Sequence, residues 1–179
     1  MNHKTLHLVY IALAAVLIAV CSWICIPTLV PFTMQTFAVF CTILLLGGKR
    51  GTAAVLVYLA LGCIGVPVFA QFTSGIGILL GTTGGYMVGF LLIGLIYWAA
   101  VALLRKKVWV ELVSMLLGLL TCYAFGTAWF MIVYARTEAP IGLATALAWC
   151  VFPFVIPDLC KLGLAFLLAK RIGASRVMR

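Results

Sequence analysis

The chain has 179 residues, of which 66% are hydrophobic and 8% charged; 12 Lys or Arg stand against 3 Asp or Glu, a formal net charge of +9. Its mean hydropathy is +1.30. Soluble domains are about 45–50% apolar and about 25% charged, so a water-soluble globule is excluded, and disorder is excluded by the same excess of apolar surface. What remains is an all-α integral membrane protein, one domain over residues 1–179, with room for roughly five to seven helices of about 20 residues.

The first span is expected over Leu8–Ile26, stopped by Pro27. Its apolar run is too long for the core of a signal peptide, so it reads as a helix that stays. Ala15 and Ala19 on it form an AxxxA step, which lets another helix come close, from the same chain or from a partner. Cys21 and Cys25, four apart, would share a helix face. The second span is expected over Thr36–Leu46, or from Phe32, ending at Gly47-Gly48-Lys49-Arg50; the third covers Thr52–Val68. The stretch AQFTSGIGILLGTTGGY follows, too apolar for a solvated loop, and is expected to fold onto the bundle as a lid. Spans four, five and six are expected over Tyr86–Leu104, Leu112–Tyr134 and Phe154–Leu168. Alternation of the strand type is absent, so a barrel is not supported.

The basic residues orient these spans. Lys4, Lys49, Arg50, Arg105, Lys106, Lys107, Lys170, Arg171, Arg176 and Arg179 all fall on one side if there are six spans. Five or seven would scatter them. The positive-inside rule makes that side the cytoplasm and puts both termini there. The same placement accounts for the net charge without a nucleic-acid partner.

The three acids differ in setting. Glu111 follows a basic loop and is expected in solvent; Glu138, beside Arg136, is expected as a solvated pair. Asp158 lies inside an apolar run with Lys161 three residues on, so the two share a helix face, with Pro157 suited to the helix's first turn. An ionisable residue within a span costs roughly 2.5–3.5 kcal/mol at the centre. The pair is either self-neutralising or a ligand site, where an ammonium suits a carboxylate and a carboxylate suits N–H donors. Gln35 either caps the second span or bonds a ligand.

Other chemistry is thinly supplied. The seven cysteines form no CxxC pair, and His3 and His7 are the only imidazoles, so the thiols read as small apolar groups and no metal site is expected. No GxxxxGK[ST], HExxH or GxSxG occurs, and three acids give little acid–base capacity, so an enzyme is not expected.

The segments PFTMQTFAVF, LLLGGKRGTAAVLVYLALGCIGVPVFA, GTTGGYMVGF, CYAFGTAWF and PFVIPDLCKLGLAFLLA run in order through the chain. Together they resemble the BioY family, the biotin-specific substrate-binding (S) components of energy-coupling-factor (ECF) transporters. The resemblance covers essentially the whole chain. It implies a six-helix S-component fold in the cell membrane of a prokaryote, with biotin captured near the outer face and no cofactor of its own. It implies that Asp158 and Lys161 match the D-x-x-K element that helps hold biotin, with Lys161 toward the valerate carboxylate and Asp158 toward N–H groups, or the reverse. Gly84, Gly85 and Tyr86 match the G-G-Y of the loop, and Gln35 the P-F-T-x-Q-T element. Ala15 and Ala19 match the face by which S components dock on a transmembrane coupling protein, which with two ATPase subunits would supply the ATP hydrolysis. Two positions depart from the family pattern: Thr82 stands where Pro is common, and PFVIPD replaces P-F-L-P-G-D. An S component for another vitamin, thiamin or riboflavin, and a membrane scaffold without transport stay open at this point.

Overall fold

The computed structural model describes residues 3–28 and 30–173; Arg176 and Arg179 lie outside them. Helix α1 (His3–Trp23) is followed by a two-stranded antiparallel pair, β1 (Cys25–Ile26) and β2 (Phe32–Thr33). Then come α2 (Gln35–Leu46), α3 (Gly48–Cys63), a 3-10 turn at Ala70–Phe72, α4 (Ile76–Leu80), α5 (Gly84–Leu104), α6 (Val108–Thr137), α7 (Leu143–Cys150) and α8 (Phe152–Ile172). Four of these, α1, α5, α6 and α8, are long and apolar enough to cross a membrane; α2 and α3 have 12 and 16 residues.

These helices are apolar on every side, as expected of membrane spans. Leu13, Leu120 and Leu167 point outward, while Phe40, Tyr58, Phe69 and Phe130 fill the interior. Helix α1 stops three residues earlier than Ile26, because the chain turns into β1 and the Met34 N–H reaches back to the Ile24 carbonyl at 3.1 Å. Cys25 therefore leaves the helix and does not share a face with Cys21. Ala15 and Ala19 are 1% and 5% exposed, since α1 lies against α2 and α3. The AxxxA step thus serves internal packing. Its small residues bring α1 close to its own neighbours.

Between α2 and α3 the chain reverses at Gly47, whose φ of 78° and ψ of 167° belong to a region essentially reserved for glycine. A Cβ on Gly51 would stand 2.6 Å from the Ile43 Cα, so the two helices fold back onto each other immediately. Helix α3 ends at Cys63, ahead of the expected Val68. Beyond it Val68 and Phe69 turn inward, and Phe69 meets Tyr58 edge-on at 5.6 Å. The stretch expected as a lid does fold onto the bundle, where Ile78 and Leu79 pack on the core.

Helices α5 and α6 form the closest pair, antiparallel across the Arg105–Lys107 turn. Gly89 sits against Cys122, and Gly118 against Ile93. Such notches replace side-chain interdigitation with near backbone contact. Glu111, at the start of α6, is not in free solvent: its side chain is 13% exposed, accepts from the Tyr97 hydroxyl at 2.8 Å and pairs with Lys106 at 3.5 Å. Arg136 and Glu138 are both exposed, as expected. Helix α7 was not foreseen. Helix α8 begins at Phe152, a turn earlier than Pro157, so that proline lies inside the helix and not in its first turn.

Candidate functional site

The N-terminal ends of α2, α5 and α8, the middle of α6, and loop residues near 30–33 and 70–83 enclose a cavity of about 230 Å³. It lies at the end of the bundle away from Lys49, Arg105 and Lys170, because α5 and α8 enter it with their first turns and reach those basic residues with their last. Val30, Met87, Phe90, Leu119 and Phe154 give it apolar walls; Gln35, Thr36, Tyr86, Tyr123, Asp158 and Lys161 give it polar points. Few polar groups on an apolar surface is the composition of a small-molecule site.

Asp158 and Lys161, one turn apart on α8, are 2% and 5% exposed. The Lys161 Nζ donates to Asp158 Oδ1 at 2.9 Å, to the Thr33 carbonyl of β2 at 2.8 Å and to Thr36 Oγ1 at 3.1 Å. These use every N–H of the ammonium. It also stands 4.3 Å from the centroid of the Phe32 ring, which stacks on Phe154 at 5.8 Å. Asp158 Oδ1 accepts a second bond, from the Thr36 hydroxyl at 2.8 Å, and Oδ2 accepts from the Tyr123 hydroxyl at 2.7 Å. A carboxylate has about four acceptor positions. Among the described residues Oδ2 has one partner, which leaves it able to accept from a ligand. The two readings of this pair from sequence therefore coincide: the charges neutralise each other, and they line a cavity.

Gln35 is the first residue of α2 and does not cap it. Its Nε2 donates to the Tyr58 hydroxyl at 2.9 Å, and its Oε1 has no partner among the described residues. Tyr86 lines the cavity with its hydroxyl 3.0 Å from Thr127 Oγ1. Gly84 and Gly85, expected as ligand contacts, do not line it. A Cβ on Gly84 would strike the Leu79 carbonyl and one on Gly85 the Trp129 side chain, at 1.7 and 2.3 Å. Both are close-packed positions that let α5 start close under the lid and so set Tyr86 in place.

Sequence reasoning passed over Thr36 and Tyr123, and singled out Gln71 only as a polar side chain near the outer face. Thr36 adjoins Gln35, and Tyr123 is a phenol in an apolar helix, where a hydroxyl without a partner is costly. Those were the available signals. Gln71 lines the cavity from the lid with a left-handed backbone, φ 56°, and Phe72 follows at 57°. No sequence signal marks that strain. Among the described residues no group of three or more His, Cys, Asp or Glu gathers for a metal ion.

Comparison with known proteins places this geometry. The sequence profile of the BioY family matches residues 1–177. The chain belongs to the BioY family. The biotin transporter BioY of Thermotoga maritima is 39% identical over 164 residues, covering 91% of this chain and 93% of the relative. The probable biotin transporter BioY of Pyrococcus horikoshii is 38% identical over 146 residues, 82% of each chain. In structure, the chain resembles the crystallised S-component for biotin from an ECF-type ABC transporter, with TM-score 0.83 and 27% identity over 96% of this chain and 94% of the other. The BioY relatives are named for transport and not for a reaction, so this is a family of transporter components and not of enzymes. It is a multi-pass membrane protein with the S-component fold.

Proposed function

We propose that this protein is the biotin-binding S component of an ECF-type transporter, capturing biotin in the cavity at the lid end. The observation that carries this reading is the buried Asp158–Lys161 pair on that cavity, in a chain that shares the fold of a biotin S component. A bundle that only filled its interior would have no use for two charges and a 230 Å³ space beside them.

The 2.9 Å between Lys161 Nζ and Asp158 Oδ1 bears on how biotin lies. The ureido ring and the valerate carboxylate are opposite ends of an elongated molecule. They do not both sit on groups this close. The pair offers the Asp158 Oδ2 acceptor beside an ammonium that would exchange its longest bond, to Thr36 Oγ1 at 3.1 Å, for a ligand oxygen, which matches the N–H and C=O of a cyclic urea. We assign the ureido end to it, against the sequence-based placement of the carboxylate on Lys161. The carboxylate then lies toward the lid side, where Gln71 and Thr83 supply neutral donors. Gln35 Oε1 is left for a further N–H contact.

The rest follows the family pattern. Helices α1, α2, α3, α5, α6 and α8 make six crossings within one domain, with the basic turns and both termini in the cytoplasm of a prokaryotic cell. A transmembrane coupling protein and two ATPase subunits drive release, since the chain has no phosphate-binding loop of its own. Biotin is cargo, and no cofactor is needed.

The test is calorimetric binding of biotin, thiamin and riboflavin to purified protein, with biotin amide as a second ligand. Biotin alone among the vitamins should bind. Lys161→Met should lower affinity for biotin and biotin amide by the same factor; a loss confined to the acid returns the carboxylate to Lys161. Binding of another vitamin and not biotin sinks the reading altogether.

A further inference from the structure

A second cavity, of about 220 Å³, lies at the other end of the bundle, where the last turns of α2 and α8 meet the start of α6. Along α8 it is roughly 13 Å from the first, counting about 1.5 Å per residue from Lys161 to Lys170. Its walls divide by chemistry. Leu44, Val108 and Phe166 are apolar; Lys106 and Lys170 bring ammonium groups. Glu111 also lines it, but its Oε1 is engaged by the Tyr97 hydroxyl at 2.8 Å and by Lys106 at 3.5 Å. Lys170 pairs with no carboxylate among the described residues and stands 4.8 Å over the Phe166 ring. One positive charge is therefore left over in the cavity itself, with Arg105, Lys107 and Arg171 adjoining it in sequence.

We propose that this cavity holds the head group of an anionic phospholipid. The phosphate oxygens meet Lys170 and Lys106, and the glycerol and upper acyl chain lie along Leu44, Val108 and Phe166. Basic pockets between spans recognise anionic head groups in this way. The first-turn N–H groups of α6, which starts at Val108 with no side-chain cap, add to the positive field at the same end. A free inorganic anion would use the same lysines but leave the apolar wall facing water, so the lipid is the better match. On the charge-based orientation the site opens to the cytoplasmic leaflet, where anionic lipids are concentrated.

Native mass spectrometry of the full chain in detergent tests this, with phosphatidylglycerol and phosphatidylcholine titrated in turn and inorganic phosphate as competitor. The phosphatidylglycerol adduct should persist where the phosphatidylcholine adduct does not. Lys170→Gln should weaken it about fivefold, and Lys106→Gln with Lys170→Gln about 25-fold, at roughly one such factor per basic contact. Biotin binding should be unchanged in both, which reports the fold; should the double variant not fold, the single one decides. Equal retention of the two lipids, full retention in the variants, or displacement by millimolar inorganic phosphate overturns the proposal.

Discussion

Replacing Lys161 by Met is the sharpest perturbation of the ligand cavity. The methionine fills similar space but removes the donor shared by Asp158 Oδ1, Thr36 Oγ1 and the Thr33 carbonyl. Asp158 is left as a carboxylate at 2% exposure, held by Thr36 and Tyr123 alone. Removing one member of a buried pair costs about 3–5 kcal/mol, because the other charge stays buried without its partner. Asp158→Asn should cost a similar amount by stranding the ammonium. The double variant carries no charge there, and replacing a whole buried pair is often near neutral. Its loss should then be smaller than that of either single variant, a coupling far from additivity. Thermal unfolding in detergent reads the stability, and calorimetry reads biotin binding, which all three variants should lose by roughly a hundredfold or more, at about 1.4 kcal/mol per tenfold. Losses that simply add in the double variant, or wild-type biotin affinity in either single one, would refute the reasoning.

Three further outcomes are expected. Tyr123→Phe removes the donor to Asp158 Oδ2; a bond to a charged group contributes about 1.5–3 kcal/mol, so biotin affinity should fall roughly tenfold or more by calorimetry, with little change in secondary structure by circular dichroism. Gly126→Val places a Cβ 2.2 Å from the Tyr86 ring, and overpacking of about 1–3 kcal/mol should displace the ring and weaken biotin, whereas Gly142→Val, with open space around it, should bind normally. Gly47→Ala forces a side chain into a glycine-only backbone region, at about 1–3 kcal/mol, and should lower the unfolding temperature without changing the affinity of the protein that remains folded.

Much of the layout is legible from residues that break an apolar chain. Pro27, Gly47-Gly48 and the Arg105–Lys107 run mark ends that the helices respect within a few residues. Asp158 and Lys161 are legible for a physical reason: two charges in an apolar run need a compensating partner or a ligand, and here they compensate each other on the wall of a cavity. Other features depend on distance in space. Nothing local distinguishes Ala15 and Ala19 packing inward from the same residues facing a partner. Glu111 looks solvated beside lysines until Tyr97 arrives from the preceding helix. Gly84 and Gly85 look like a ligand loop because glycines approach ligands and helices equally well. Helix α7 hides because it is eight residues long between a Pro-Ile-Gly turn and the next span.

The closure of Asp158 on Lys161 also decides what the protein presents to the membrane potential. An empty site of paired opposite charges is electrically silent, so any movement of it along the membrane normal transfers no charge. With biotin bound, the carboxylate adds one negative charge, and the loaded site feels the field that the empty site ignores. Carrying that charge inward against an inside-negative potential costs up to about 2.3 kcal/mol per 100 mV. The pair itself would then add nothing to the voltage dependence of the empty return, and the added burden of the cargo's charge would fall on the loaded stroke.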